Sequence, residues 1–349
     1  MKISFVAPDF KYSTGTKTYL DNLIYGLRQL DTDPSIHYLH KIEFSILGKP
    51  RFGVISQMIQ GKFTRVSGDI IHSISPSTAI KDTNVITIHD VIPFLQSVKK
   101  PSFLDRRNLG HYLSIKKALR VNDVIVTTEF TKQKLIELFG KAENNIHVIP
   151  AAIRTEFFKK TPNNPYPDNG KIHVLSISDF NPRKNLKIVI SKIGGNHKID
   201  FYHIGSPRGW TSQYEDIINF SKQFNNVHIL GPKPSEELVD YLSHADVLIS
   251  MSESEGFGLI VVEALSCGVP VLLNPIPVYK ELYGSTASFV EPMALDEDII
   301  TETVSQHKDP KALMDFAEQF STINVARKML EVYNFIYMRG ETPTVKYSV

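Results

Sequence analysis

Apolar and polar positions follow two rhythms along this chain. Short runs rich in β-branched residues, each bounded by polar turns, read as buried strands at residues 3–7, 69–73, 84–88, 123–128 and 146–150, and again at 172–177, 201–205, 227–231 and 245–250. Between them apolar residues recur every three or four positions, as at Leu20, Leu23, Ile24, Leu27 and Leu30, which predicts a helix with one buried face. Leu259, Val262 and Leu265 fall on the same spacing, and Gly268-Val269-Pro270 stops that helix. The last such pattern, Ala317, Phe320, Ile323, Ala326, Leu330, Tyr333 and Ile336, predicts one long amphipathic helix over about 319–338. Residues 31–68 show neither rhythm. Strand, turn and helix repeated in two series predict an α/β fold class with two doubly wound parallel-sheet domains, at 1–155 and 171–318. Thr161-Pro162-Asn163-Asn164-Pro165, followed by Asp168-Asn169-Gly170, is rich in turn formers and marks a linker over 156–170.

Composition narrows the class. The chain has 349 residues, of which 42% are hydrophobic and 22% charged, ordinary values for a globular protein with sizeable cores. The net charge of +2 hides an asymmetry: about 20 Lys and Arg against 13 Asp and Glu in residues 1–150, and about 19 against 24 in the remainder. A basic first half suits an anionic partner such as a phospholipid surface, a lipid-linked acceptor or nucleic acid, and equally an ordinary solvated surface. Lys99-Lys100-Pro101 and Arg106-Arg107 are the stretch best suited to lipid headgroups or an acceptor phosphate. Cys267 is the only cysteine, so no internal disulfide can form. No leader pattern opens the sequence, and Glu263 interrupts the best apolar run before it reaches the ~18 residues of a spanning helix. The expectation is a cytoplasmic protein, with peripheral contact at the inner membrane face.

The chemistry concentrates in Ser252-Glu253-Ser254-Glu255-Gly256-Phe257-Gly258-Leu259, with Glu263 about two turns into the following helix. Two glycines let the backbone approach a ligand, and a helix start offers amides to an anion. Two carboxylates around such a nest suit a ligand bearing both hydroxyls and phosphates. Arg183 and Lys184, in Pro182-Arg183-Lys184-Asn185, stand at the start of another predicted helix, where they oppose its dipole unless an anion compensates. His89 follows the 84–88 strand, at the end where open α/β sheets bind ligands; there it could donate to a hydroxyl or phosphate and carry charge near neutral pH. His72 reads as structural. Asp31-Thr32-Asp33 has metal-site spacing, but beside Pro34 it reads as a loop, and no metal is assigned. Gly15 is the only glycine of the first turn, so the Gly-x-Gly-x-x-Gly dinucleotide fingerprint is absent and a dehydrogenase is disfavoured.

Glu255 and Glu263, set in Ser-x-x-Glu-Gly-Phe-Gly-Leu-x-x-x-Glu-Ala, resemble the Glu-x7-Glu motif of family-4 retaining glycosyltransferases of GT-B architecture, the glycosyl transferases group 1. Thr87-Ile88-His89-Asp90 resembles that family's His-Asp stretch, and Pro182-Arg183-Lys184-Asn185 its diphosphate-binding segment. The likeness implies two Rossmann-like domains facing across a cleft, the final helix crossing back onto the first. It implies metal-independent transfer of a sugar, with retention, from a nucleoside diphosphate to a hydroxyl of a glycan, lipid-linked or small-molecule acceptor. It implies no cofactor beyond that donor and no nucleic-acid partner. Carried over, Glu255, His89 and Lys184 are the catalytic candidates. Gly15, Arg183, Lys184, Gly256, Phe257, Gly258, Leu259 and Glu263 are the donor-binding ones, with Glu263 on the ribose. In one place the chain departs from the family, having Ser178-Asp179 where Gly-Arg is usual, which removes a cation. A sugar-nucleotide epimerase of the same architecture and a non-catalytic sugar-nucleotide-binding protein are the other readings.

Overall fold

The computed structural model describes residues 1–10, 15–40, 44–46, 49–51, 53–95, 106–120, 123–141, 143–154, 163–306 and 309–341. The chain divides into two compact units, Met1–Ala152 with the segment from Thr322 onward, and Ile153–Ser321.

The first unit is built on six parallel strands: β1 (Ile3–Pro8), β2 (Ser35–Leu39), β5 (Ile70–Ser73), β6 (Val85–Ile88), β7 (Asp123–Val126) and β8 (Ile146–Val148), in the order β2-β1-β5-β6-β7-β8. A small antiparallel pair, β3 (Phe44–Ile46) and β4 (Lys49–Arg51), stands apart. Strands β1, β5, β6 and β7 are buried along nearly their whole length, as parallel strands covered on both faces must be. Residues 31–68, patternless in the sequence, hold edge strand β2, whose residues are mostly half-exposed, and the helix Gly53–Phe63. Asp33 pairs with Arg28 at 2.7 Å in the turn after the first helix, Gly15–Arg28, so the Asp31-Thr32-Asp33 triplet closes a loop.

The long pattern from Ala317 onward does not form one helix. It is broken at Ser321, where the backbone turns to ψ 152° after a short 3-10 turn, and the last helix is Thr322–Glu341. That helix lies against Gly15–Arg28, with Gly26 at the crossing, where a Cβ would come within 2.2 Å of the Thr322 carbonyl. It is anchored inside by Tyr333, whose hydroxyl meets His72 Nδ1 at 2.6 Å while His72 Nε2 meets Thr87 Oγ1 at 2.7 Å. At its far end Arg339 pairs with the buried carboxylate of Asp123, which also meets His147 at 2.8 Å. No helix among the described residues is long and apolar enough to cross a membrane.

The second unit repeats the design with β9 (Ile172–Ile177), β10 (Ile199–Ile204), β11 (Val227–Gly231), β12 (Val247–Ser250), β13 (Val271–Leu273) and β14 (Ser288–Phe289). All pairings are parallel, in the order β11-β10-β9-β12-β13-β14. Val174, Phe201, Val247, Ile249 and Leu272 form its core with Val189, Ile190 and Ile193 from the helix Leu186–Ile193. The order reverses between β9 and β12. In such sheets the crevice beyond the carboxyl ends of the two central strands is the ligand position. Here it falls on the segments after Ile177 and Ser250.

Candidate functional site

The two loops at this switch point hold each other. After β9, Pro182–Lys184 forms a 3-10 turn capped by Asn181, whose side chain accepts from the Arg183 amide at 3.1 Å. Asn185 follows in the left-handed region at φ 55°, and its side-chain amide donates to the Met251 carbonyl at 3.0 Å. The Glu253 amide donates to the Arg183 carbonyl at 2.8 Å, and Asn274 donates to the Ser252 carbonyl at 2.9 Å. These bonds set Arg183 and Lys184 opposite Glu255, although some seventy residues separate them in sequence.

One carboxylate oxygen of Glu255 takes both cations, Arg183 Nη1 at 3.0 Å and Lys184 Nζ at 2.5 Å. Arg183 also donates to Ser252 Oγ at 3.0 Å and to the Ser254 carbonyl. Only 12% of the Glu255 side chain is exposed. Burial pushes its pKa upward, but the Lys184 and Arg183 charges and a Lys184 hydrogen bond together outweigh that and hold it below its ordinary value. The sequence placed the two cations at a helix start in need of an anion. The structure places them in the preceding 3-10 turn, with the helix beginning at Leu186, and the compensating anion is Glu255.

The Gly-Phe-Gly turn is clamped from beneath. Gly258 sits at φ +90°, and a Cβ there would meet the Tyr279 ring at 2.7 Å. Tyr279 itself bonds Ser250 Oγ at 2.9 Å, and Tyr283 donates to the Phe257 carbonyl at 3.1 Å. Phe257 turns its ring inward against Phe320, 5.7 Å between centroids, so it has backbone rather than side chain to offer a ligand. Gly256 and Leu259 flank it half-buried, and Glu263 lies buried in the helix Leu259–Ser266. Cys267, just beyond, is buried, and desolvation pushes its thiol up to about 12, which removes it as a nucleophile. Gly258→Ala should destabilise the protein by about 2–4 kcal/mol, combining left-handed strain with the ring collision. A lowered urea midpoint at unchanged m-value checks this.

The remaining candidates belong to the first unit. Gly15 opens its first helix, and no described residue lies within 4 Å of where a Cβ on it would stand. His89 follows β6, packs edge-on to Tyr19 at 4.7 Å, and places Nε2 3.0 Å from the Ile74 carbonyl. A carbonyl can only accept, so Nε2 carries the proton and Nδ1 is left as an acceptor. Burial lowers the His89 pKa to about 4, against the partial opposition of that hydrogen bond. This corrects the expectation of a charged or donating imidazole: at neutral pH His89 is neutral and can accept from a hydroxyl. The Lys99–Lys100–Pro101 stretch lies outside the described residues, as does 156–162, the first part of the 156–170 linker. Asn185, Asn274, Tyr279 and Tyr283 support the site without having been singled out in the sequence. The Asn185 left-handed turn is the one of these with a local signal, since asparagine tolerates that conformation.

Residues 157–319 match the family model described as glycosyl transferases group 1. The O-antigen biosynthesis glycosyltransferase WclY of Escherichia coli is 27% identical over 226 residues, which is 58% of this chain and 62% of that protein. The phosphatidylinositol N-acetylglucosaminyltransferase GPI3 subunit of Saccharomyces cerevisiae is 27% identical over 238 residues, 62% of this chain and 51% of its own. The matched regions thus span less than two thirds of these relatives. Among solved structures, Anabaena HepE in complex with UDP and glucose superposes with a TM-score of 0.72 at 17% identity, covering 95% of this chain and 100% of that one. At that identity the likeness establishes the fold, which is that of GT-B glycosyltransferases.

Proposed function

We propose that this chain, whose residues 157–319 match the glycosyl transferases group 1 model, moves a sugar from a nucleoside diphosphate to an acceptor hydroxyl. The observation that carries this reading is the pair of cations, Arg183 and Lys184, locked on one carboxylate oxygen at the carboxyl ends of β9 and β12. A leaving diphosphate needs positive charge that is fixed before the reaction. Arg183 and Lys184 supply it without a metal, and Arg183 stands in for the cation that Asp179 replaces. Glu255 holds the donor sugar's hydroxyls, Glu263 the ribose, and the backbone of Gly256, Phe257, Gly258 and Leu259 the anionic part of the ligand. The first unit serves the acceptor side, with His89 Nδ1 accepting from a hydroxyl, while Gly15 offers its backbone to the donor. Transfer with retention is the outcome this assignment favours.

The names of the similar proteins support the substrate class. HepE was solved with UDP, which makes uridine the first base to screen, and WclY and the GPI3 subunit favour a glycan or lipid-linked acceptor. A cytoplasmic enzyme peripheral to the inner membrane face would fit them.

A thermal-shift screen across nucleoside diphosphates and their sugars tests the reading. The matching donor should add about 2.7 kcal/mol of stability at 100 times its dissociation constant. Turnover should then require an acceptor; isomerisation of the donor alone would point to an epimerase, and binding with no turnover against any acceptor to a non-catalytic protein. Lys184→Ala should lower kcat by about 10²–10³-fold through loss of leaving-group stabilisation. Steady-state kinetics at unchanged Tm checks it.

A further inference from the structure

Among the described residues, the first unit leaves large apolar side chains exposed on two neighbouring helices. Helices Gly53–Phe63 and Arg106–Ala118 lie side by side on the turn that follows β5. A Cβ on Gly61 would come within 2.9 Å of the Ala79 carbonyl, and Lys117 Nζ donates to that same carbonyl at 2.8 Å and reaches the Met58 carbonyl at 3.5 Å. Gln57 and Gly61 on one helix, and Ser114, Ile115 and Ala118 on the other, fill the inward positions. The outward faces are therefore neighbours. On the first, Ile59 and Phe63 stand one turn apart, 52% and 81% exposed. On the second, Leu113 is 43% exposed and Tyr112 36%, its ring resting against Phe94 and Phe139 with Lys116 Nζ 6.0 Å from it. Large apolar side chains left in water on two adjoining helices mark a contact surface.

The charge on the two helices has one sign. Neither 53–65 nor 106–120 contains an acidic residue, whereas the first holds Lys62 and Arg65, and the second Arg106, Arg107, Lys116, Lys117 and Arg120. The nearest acid among the described contacts is Asp82, 4.0 Å from Arg65. We propose that this face docks on an anionic phospholipid bilayer. Ile59, Phe63, Tyr112 and Leu113 would enter the boundary between headgroups and acyl chains, while Lys62 and Lys116 meet lipid phosphates. Nucleic acid would satisfy the cations but gains nothing from the aliphatic Ile59 and Leu113, which cannot stack on a base. A protein partner fits less well, because lysine is depleted from protein interfaces. The proposal is independent of sugar transfer, since vesicle binding requires no turnover.

Co-sedimentation of the full chain with vesicles tests it. The protein should bind vesicles of equal parts phosphatidylglycerol and phosphatidylcholine, weaken as salt rises, and leave pure phosphatidylcholine vesicles unbound. Lys62→Gln with Lys116→Gln should reduce the partition constant roughly 30-fold, and Phe63→Ser about tenfold. Lys192→Gln with Lys222→Gln, exposed positions on the second unit, should change nothing. Matching Tm values show that the variants are folded. Equal binding to both vesicle types, no binding to either, or unaltered binding by the double variant would overturn the proposal. So would preferential binding of duplex RNA or DNA, or a Phe63-dependent dimer in size-exclusion chromatography in place of vesicle binding.

Discussion

Glu255→Gln should lower kcat/KM for sugar transfer on the order of 10³-fold while binding of the nucleoside diphosphate product holds or tightens. Glu255 presently neutralises Arg183 and Lys184 through one oxygen, so a diphosphate must share or displace that contact to reach the same cations. Glutamine keeps the shape and removes the charge. The cations are then released to the diphosphate, a gain of up to about 1 kcal/mol, or roughly fivefold in affinity, since the cluster is partly open to solvent. The reacting sugar loses its ionised partner at the same time. Leaving two cations without their counter-charge should also cost about 1–2 kcal/mol of stability. Lys184→Ala lowers transfer and diphosphate affinity together, so the pair of variants separates a role on the sugar from one on the phosphate. Isothermal titration with the diphosphate, beside steady-state kinetics, reads both. Wild-type turnover in Glu255→Gln, or a fall in diphosphate affinity matching Lys184→Ala, would sink the assignment.

The parts of the fold legible in the sequence are those whose environment is uniform along the segment. Strands such as Ile70–Ser73, Asp123–Val126 and Val247–Ser250 are buried on both faces, so they read as unbroken apolar runs. Ser35–Leu39 lies at a sheet edge, half-exposed, and has no such run. The helix Gly53–Phe63 was blurred for another reason: Ile59 and Phe63 put large apolar residues on its outer face, which erases the two-faced period. The break at Ser321 was hidden because the apolar positions on either side keep helical spacing through it. At the site, residue identities were readable from the motif, but their pairing was not. Arg183 meets Glu255 across 72 positions, and no local period records such a contact. His89 shows the same limit. Its position beyond a strand was legible, whereas its charge state depends on the Ile74 carbonyl, 15 residues earlier.

The buried histidines make the second large prediction, that the protein loses stability steeply as pH falls from about 6.5 towards 5. His72 is wholly buried between Tyr333 and Thr87, and His203 packs edge-on to Phe180 with ring centroids 5.0 Å apart. Burial lowers both to about 3 in the fold, against about 6.5 in an unfolded chain. Between those values the unfolded chain binds a proton that the folded one refuses, so stability rises with pH across the window and is fully present above 6.5. Each histidine removes about 1.4 kcal/mol per pH unit below that point, or about 4 kcal/mol for the two by pH 5. His89, held down to about 4 and half-buried, adds to the same slope. The loss is a large share of the 5–15 kcal/mol typical of a folded protein. Glu255 acts in a lower window: its depressed carboxyl contributes stability above the usual carboxylate range and loses it only as pH falls through its folded value. Acid inactivation near pH 5 should therefore follow unfolding rather than protonation of Glu255. Urea midpoints at pH 7.5, 6 and 5 give the slope. His203→Phe should flatten it by one proton, about 2 kcal/mol less loss by pH 5, whatever the variant costs at pH 7.5. A midpoint constant from pH 7.5 to 5, or a slope untouched by His203→Phe, would show that these histidines take up protons in the folded protein.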